Sequence, residues 1–137
     1  MARIMALDYG TVRTGIAVTD ELQLIASGLK TVATNELMTF LKAYLQEEPL
    51  ELLVIGKPKQ MNNTDSQSEL AIQKFIESLN ETFPGLAIER IDERFTSKMA
   101  FQSMIDSGIK KKKRREKGLI DTISATLILQ NYLAQKP

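Results

Sequence analysis

At 137 residues, with 43% hydrophobic and 26% charged side chains, the chain is sized and balanced for one globular domain spanning residues 1–137. It contains neither cysteine nor histidine, which excludes disulfides, cysteine nucleophiles, histidine-based triads and the usual zinc sites. Its net charge of +1 hides an asymmetry, because Lys110–Lys117 holds seven basic residues and one acid.

The elements read as follows in chain order. Residues 3–8 form a first strand whose run Ile4-Met5-Ala6-Leu7 is apolar on both faces and ends at Asp8. Residues 14–19 form a second strand, joined through Gly10 and a polar turn. Residues 22–33 form a third, with an irregularity expected at Ser27-Gly28. Short connections make these three an antiparallel meander. Asn35–Gln46 has helical spacing of Leu37, Met38, Phe40, Leu41, Tyr44 and Leu45, with Thr34 or Asn35 as the N-cap and Pro49 as the stop. Leu52–Gly56 is a continuous apolar run, the mark of a central parallel strand. A polar loop from Lys57 to Asp65 leads to a helix that ends near Phe83, with Leu70, Ile72, Phe75, Ile76 and Leu79 expected to face inward. Leu86–Ile91 is a fifth strand that delivers Asp92-Glu93-Arg94. A short helix over Ser97–Ser107, the basic segment and a last helix over 118–134 complete the order βββαβαβαα. This order predicts an α/β protein with a mixed five-stranded sheet, three strands antiparallel and then two parallel, with helices on both faces.

No apolar run approaches the ~18 residues of a membrane span. The N-terminus enters a strand almost at once, which leaves no room for a signal peptide. No membrane association and a cytoplasmic location are therefore expected.

With no His or Cys, proton transfer falls to Asp, Glu, Lys, Tyr or a bound cation's water, which narrows hydrolytic chemistry to carboxylates with a hard cation such as Mg²⁺ or Mn²⁺. Three acidic places stand out. Asp8 ends the first strand, Asp92 and Glu93 end the fifth, and Asp121 lies in the first turn of the last helix. The carboxyl ends of parallel strands share one edge, where open α/β sheets bind ligands. A helix packed across that edge brings the three together, and a divalent cation relieves their repulsion. Each has a plainer alternative: an Asx-turn with Gly10 for Asp8, a surface pair with Lys98 for the Asp92-Glu93-Arg94 triplet, and complementarity to the helix dipole for Asp121.

Four stretches, in order, resemble one family. Leu7-Asp8-Tyr9-Gly10-Thr11-Val12-Arg13-Thr14-Gly15-Ile16-Ala17-Val18 resembles the opening motif of the YqgF/RuvX family, and Val54-Ile55-Gly56-Lys57-Pro58 its second. Asp92-Glu93-Arg94-Phe95-Thr96-Ser97 resembles its third, and Ile120-Asp121-Thr122-Ile123-Ser124-Ala125 its last. Lys57 stands where Leu is usual and Ser124 where Ala is frequent. The resemblance implies a ribonuclease H-like fold. It also implies a nuclease that matures the 5′ end of small-subunit ribosomal RNA, or a Holliday junction resolvase acting on branched DNA. Carried over, Asp8, Glu93 and Asp121 are the catalytic, metal-binding carboxylates, with Asp92 as the alternate to Glu93, and two Mg²⁺ or Mn²⁺ ions are the cofactors.

Nucleic-acid contacts are expected from Arg13, Lys57, Arg94, Lys110, Lys111, Lys112, Lys113, Arg114, Arg115 and Lys117. The basic run holds phosphates through counterion release but reads no bases. A monomer or a homodimer is compatible with the sequence, and a junction resolvase requires the symmetric dimer. Two rival readings stand beside the nuclease: a module that binds nucleic acid without cutting it, and a nucleotide-binding protein of the actin and Hsp70 type, whose opening loop is similar.

Overall fold

The computed structural model describes residues 2–57, 67–92 and 117–135. Five strands form one sheet: β1 (Arg3–Tyr9), β2 (Arg13–Thr19), β3 (Ala26–Ala33), β4 (Leu50–Lys57) and β5 (Ile88–Asp92). Three α-helices occur among the described residues, α1 (Leu37–Glu47), α2 (Gln67–Thr82) and α3 (Lys117–Gln135). The strand order is β3-β2-β1-β4-β5. β3, β2 and β1 are antiparallel neighbours, and β1, β4 and β5 run parallel. The mixed α/β sheet read from the sequence is therefore the observed one.

The topology follows from strand chemistry. Ile4–Leu7 and Leu53–Ile55 are fully buried, as continuous apolar runs must be when helices cover both faces. Alternation divides them between two cores. Met5, Leu7, Ile16, Leu53 and Ile55 pack with Leu37 and Leu41 of α1 and with Ile72 and Leu79 of α2. Ile4, Ala6, Ala17, Leu52 and Val54 pack with Ala125, Ile128 and Leu129 of α3. No helix among the described residues is long and apolar enough to cross a membrane.

The third strand begins later than expected, at Ala26. Asp20 causes the delay. Its Oδ1 accepts the backbone N–H groups of Leu24 at 2.8 Å and Ile25 at 2.9 Å, so residues 20–25 close a turn. These two bonds, that of Ile25 first, hold the Asp20 carboxyl below its ordinary value. Gln23 adopts a φ of 60°, and its amide donates to the Ala2 carbonyl at 2.7 Å and to Glu51 at 2.8 Å. The irregularity expected at Ser27-Gly28 is real. Ile16 pairs with Lys30 but Ala17 with Gly28, which leaves Leu29 as the extra residue.

Two further expectations are corrected. Thr34 does not cap α1 with its side chain; a 3₁₀ turn over Thr34–Glu36 precedes the helix, and no side-chain cap bond forms. The Thr34 hydroxyl is engaged instead by the β1–β2 turn. Leu70 does not face inward but is 59% exposed, while its neighbour Glu69 is 1% exposed. Arg90 on β5 turns the helix that way, as described below. The helix expected over Ser97–Ser107 lies outside the described residues.

Candidate functional site

Asp8 lies near the end of the alternation along β1. Ile4 and Ala6 lie on the α3 side of the sheet, so Asp8 has the same register. It is half-buried and stands opposite Gly15 of β2. Gly15 is the residue that brings α3 close. A Cβ at that position would overlap the backbone carbonyl of Asp121. A glycine inside a strand marks close approach of another backbone, and here it is the second turn of α3, because the helix begins at Lys117 and Asp121 therefore lies outside its first turn, where it was expected. The Asp121 backbone thereby packs on Gly15, the β2 residue paired with Asp8.

β3 holds the same turn from the other side. A Cβ at Gly28 would press on the Thr122 methyl group, and the hydroxyls of Thr31 and Thr122 share a hydrogen bond of 2.6 Å. Ser124, one turn beyond Asp121, is buried, and its Oγ has no hydrogen-bond partner among the described residues. An unsatisfied buried hydroxyl costs about 1–3 kcal/mol, so this polar atom fits a site that also holds solvent or an ion.

Arg13 completes the cluster. It shares strand parity with Gly15 and Ala17, the latter packed under α3. Its Nε donates to Asp121 Oδ2 at 3.0 Å. The side chains are 39% and 22% exposed, so this is a half-buried pair at the mouth of the cluster. The turn that presents Arg13 is fixed. The Thr34 hydroxyl donates to the Gly10 carbonyl at 2.5 Å, and the Thr34 N–H donates to the Val12 carbonyl at 2.9 Å. Thr14 and Thr34 share a third bond of 2.9 Å. Gly10 is required because a Cβ there would overlap the Arg13 carbonyl.

The carboxyl ends of β4 and β5 lie on the same sheet edge, with Lys57 opposite Asp92. Both belong to the other face. Asp92 shares parity with Ile88 and Arg90, and Ile88 packs on the α1 and α2 side. Lys57 shares parity with Leu53 and Ile55, which belong to the same core. Its charge helps hold Glu69 of α2 ionised.

Glu69 and Arg90 form the other polar centre. Arg90 donates to both Glu69 oxygens, with Nη1 at 2.9 Å and Nη2 at 2.5 Å. It also donates to the carbonyls of Ile55 at 3.1 Å and Gly56 at 3.0 Å. The pair thus ties α2 to the carboxyl end of β4. The Arg90 hydrogen bonds are the main reason the Glu69 carboxyl lies below its ordinary value despite burial.

Of the residues singled out in the sequence, the fold brings together Asp8, Asp121 and Arg13. Glu93, Arg94 and Lys110–Arg115 lie outside the described residues. Lys117 opens α3. Among the described residues no three acidic side chains gather as a metal cluster; Asp8 and Asp121 supply hard oxygen donors of the kind Mg²⁺ and Mn²⁺ take. Sequence reading missed the Arg13–Asp121 pair, the Thr34 lock and the Glu69–Arg90 pair. The two glycines inside strands, Gly15 and Gly28, were the available signal for the first.

The family model described as RuvX, Holliday junction resolvase, matches residues 2–135. The chain belongs to the RuvX family. Its relatives include proteins named "Putative pre-16S rRNA nuclease" in three bacteria. That of Christiangramia forsetii is 62% identical over 97% of this chain and 98% of its own. That of Flavobacterium psychrophilum is 58% identical over 99% of both. That of Bacteroides thetaiotaomicron is 54% identical over 99% of both. RuvX membership also explains why the four motifs occur in order along nearly the whole chain.

Proposed function

We propose that this chain is a divalent-metal-dependent nuclease that acts in 5′-end maturation of pre-16S ribosomal RNA. The observation that supports this reading is that Asp8 pairs with Gly15, on which the Asp121 backbone packs, in a chain without His or Cys. The names of the relatives support a ribosomal RNA precursor as the substrate. Asp8 and Asp121, with Glu93 added from the motif resemblance alone, are the proposed ligand set.

These carboxylates would hold two Mg²⁺ or Mn²⁺ ions, which would supply water activation and neutralisation of phosphate charge. The chain's own groups do the rest. Asp8 and Asp121 concentrate negative charge where a cation is needed. Arg13, at the mouth, presents a fork suited to phosphate. Tyr9, the phenol next in sequence to Asp8, is not a base here: burial pushes its pKa up, and its ring packs 5.2 Å from Phe75 of α2 on the other face. The basic run Lys110–Lys117 is the proposed backbone-holding segment. Cutting one strand of a ribosomal precursor in the cytoplasm needs one active site, so a monomer suffices.

The test is cleavage of a labelled ribosomal precursor fragment beside a labelled four-way DNA junction, with Mg²⁺, Mn²⁺ or EDTA. Wild type and Asp8→Asn are run in parallel. Metal-dependent cutting of the RNA, lost in the variant, is the expected result. Cutting of the junction alone moves the protein to branched DNA, the activity in the family's description. Salt-sensitive binding of both without cutting leaves a binding module.

A further inference from the structure

We propose that Arg13 is an internal counter-ion of the cation site, which keeps metal affinity low until a phosphodiester draws the guanidinium away. The inference rests on the metal-site reading of Asp8 and Asp121 and extends it from which residues bind to how binding is timed.

The Arg13 Nε sits 3.0 Å from Asp121 Oδ2, so it takes one oxygen of a proposed ligand and places a permanent positive charge beside it. A divalent ion on the same carboxylate meets that charge at close range in a half-buried setting, where repulsion is only partly screened. Cation and guanidinium therefore compete for Asp121.

The geometry permits the exchange. The backbone of the turn is pinned by Thr34 to the Gly10 and Val12 carbonyls, so the movable part is the Arg13 side chain. That side chain is 39% exposed, and Val12 beside it is 68% exposed, so the guanidinium is reachable by a ligand arriving from solvent. A phosphate offers it a two-oxygen anionic acceptor, whereas Asp121 engages it through Oδ2. Substrate thus removes the competitor at the moment it arrives, and metal and nucleic acid reinforce one another's binding, as linkage requires. A merely structural tether makes the opposite demand: with it gone, Asp121 is less well placed and the cation binds more weakly.

The experiment is Mn²⁺ titration of the full chain without nucleic acid, followed by the electron paramagnetic resonance signal of free Mn²⁺. Wild type, Arg13→Gln, Arg13→Met, Arg13→Lys and Asp8→Asn are compared, each checked by circular dichroism. Arg13→Met keeps the aliphatic stem and serves if Arg13→Gln fails to fold. Expected are loss of the site in Asp8→Asn and roughly tenfold tighter Mn²⁺ binding in the neutral Arg13 variants, from removal of a neighbouring like charge. Arg13→Lys keeps the charge and stays near wild type. Adding a short 2′-O-methyl RNA, which resists cleavage, tightens Mn²⁺ binding more in wild type than in Arg13→Gln. Unchanged or weaker Mn²⁺ binding in folded neutral Arg13 variants, with Asp8→Asn still losing the site, overturns the counter-ion role alone. Wild-type Mn²⁺ binding in Asp8→Asn overturns the metal site itself, and the counter-ion with it.

Discussion

Asp8 and Gly15 face each other across two strands, and each carries a prediction. Asp8→Asn keeps shape and removes charge. Cleavage of the ribosomal precursor is expected to fall at least about 100-fold, the scale of losing one electrostatic group at a reacting centre, with RNA affinity in a filter-binding assay unchanged. Gly15→Ala acts through packing. Its new methyl has to displace the Asp121 backbone, and overpacking of this kind costs about 1–3 kcal/mol. Urea unfolding is expected to show that loss. Because the displaced group carries Asp121, Mn²⁺ affinity is expected to fall as well. A mutation within the other core, such as Leu53→Ala, is expected to destabilise without that second effect.

At the scale of elements, the junction between α2 and the end of β4 depends on one ion pair. Glu69 is almost wholly buried, Arg90 is 23% exposed, and Arg90 also satisfies the last carbonyls of β4. Breaking such a pair by removing one partner leaves a buried charge and costs about 3–5 kcal/mol. Arg90→Met is expected to show it in urea unfolding at neutral pH. The pH dependence has a definite sign. Glu69 is depressed below its ordinary value of 4.5 in the folded state. Its contribution is therefore fully present above that value and lost as pH falls through the folded value. The stability gap between wild type and Glu69→Gln is expected to be constant from pH 8 to pH 6 and to shrink below pH 4.5. A gap that stays constant to pH 3 would refute the assignment. Both partners were visible in the sequence, but Leu70 beside Glu69 carried the stronger hydrophobic signal. Helical spacing alone turned the wrong residue inward, since the partner that favours Glu69 lies 21 positions away.

For the whole molecule, charge distribution carries the proposed binding to RNA. The body outside Lys110–Lys117 is net acidic, so the seven basic residues of that run are the concentrated source of positive charge. Replacing Lys110–Arg115 with Ser and Gln is expected to weaken RNA binding equally across sequences. It is also expected to flatten the salt dependence, by about 0.7 in the logarithmic slope for each phosphate of a single strand that is no longer neutralised. An unchanged slope would move phosphate binding elsewhere, with Arg13 the first residue to try.

The sequence by itself determined the order of the described strands and α-helices and the two-faced sheet, because those depend on local periodicity: continuous apolar runs in β1 and β4, helical spacing in α1 and α2. It also marked Asp8 and Asp121, since a carboxylate beside a buried run is conspicuous in any chain. It did not determine where β3 starts, because Asp20 reaches four and five residues ahead to build a turn from apolar residues that read as strand. It did not reveal that Arg13 holds Asp121, which lies 108 positions away. These were decided by tertiary structure for one physical reason. Propensity and periodicity act between residues within a few positions, whereas ion pairs and backbone approaches such as that of α3 on Gly15 depend on distances that exist only once the sheet has closed.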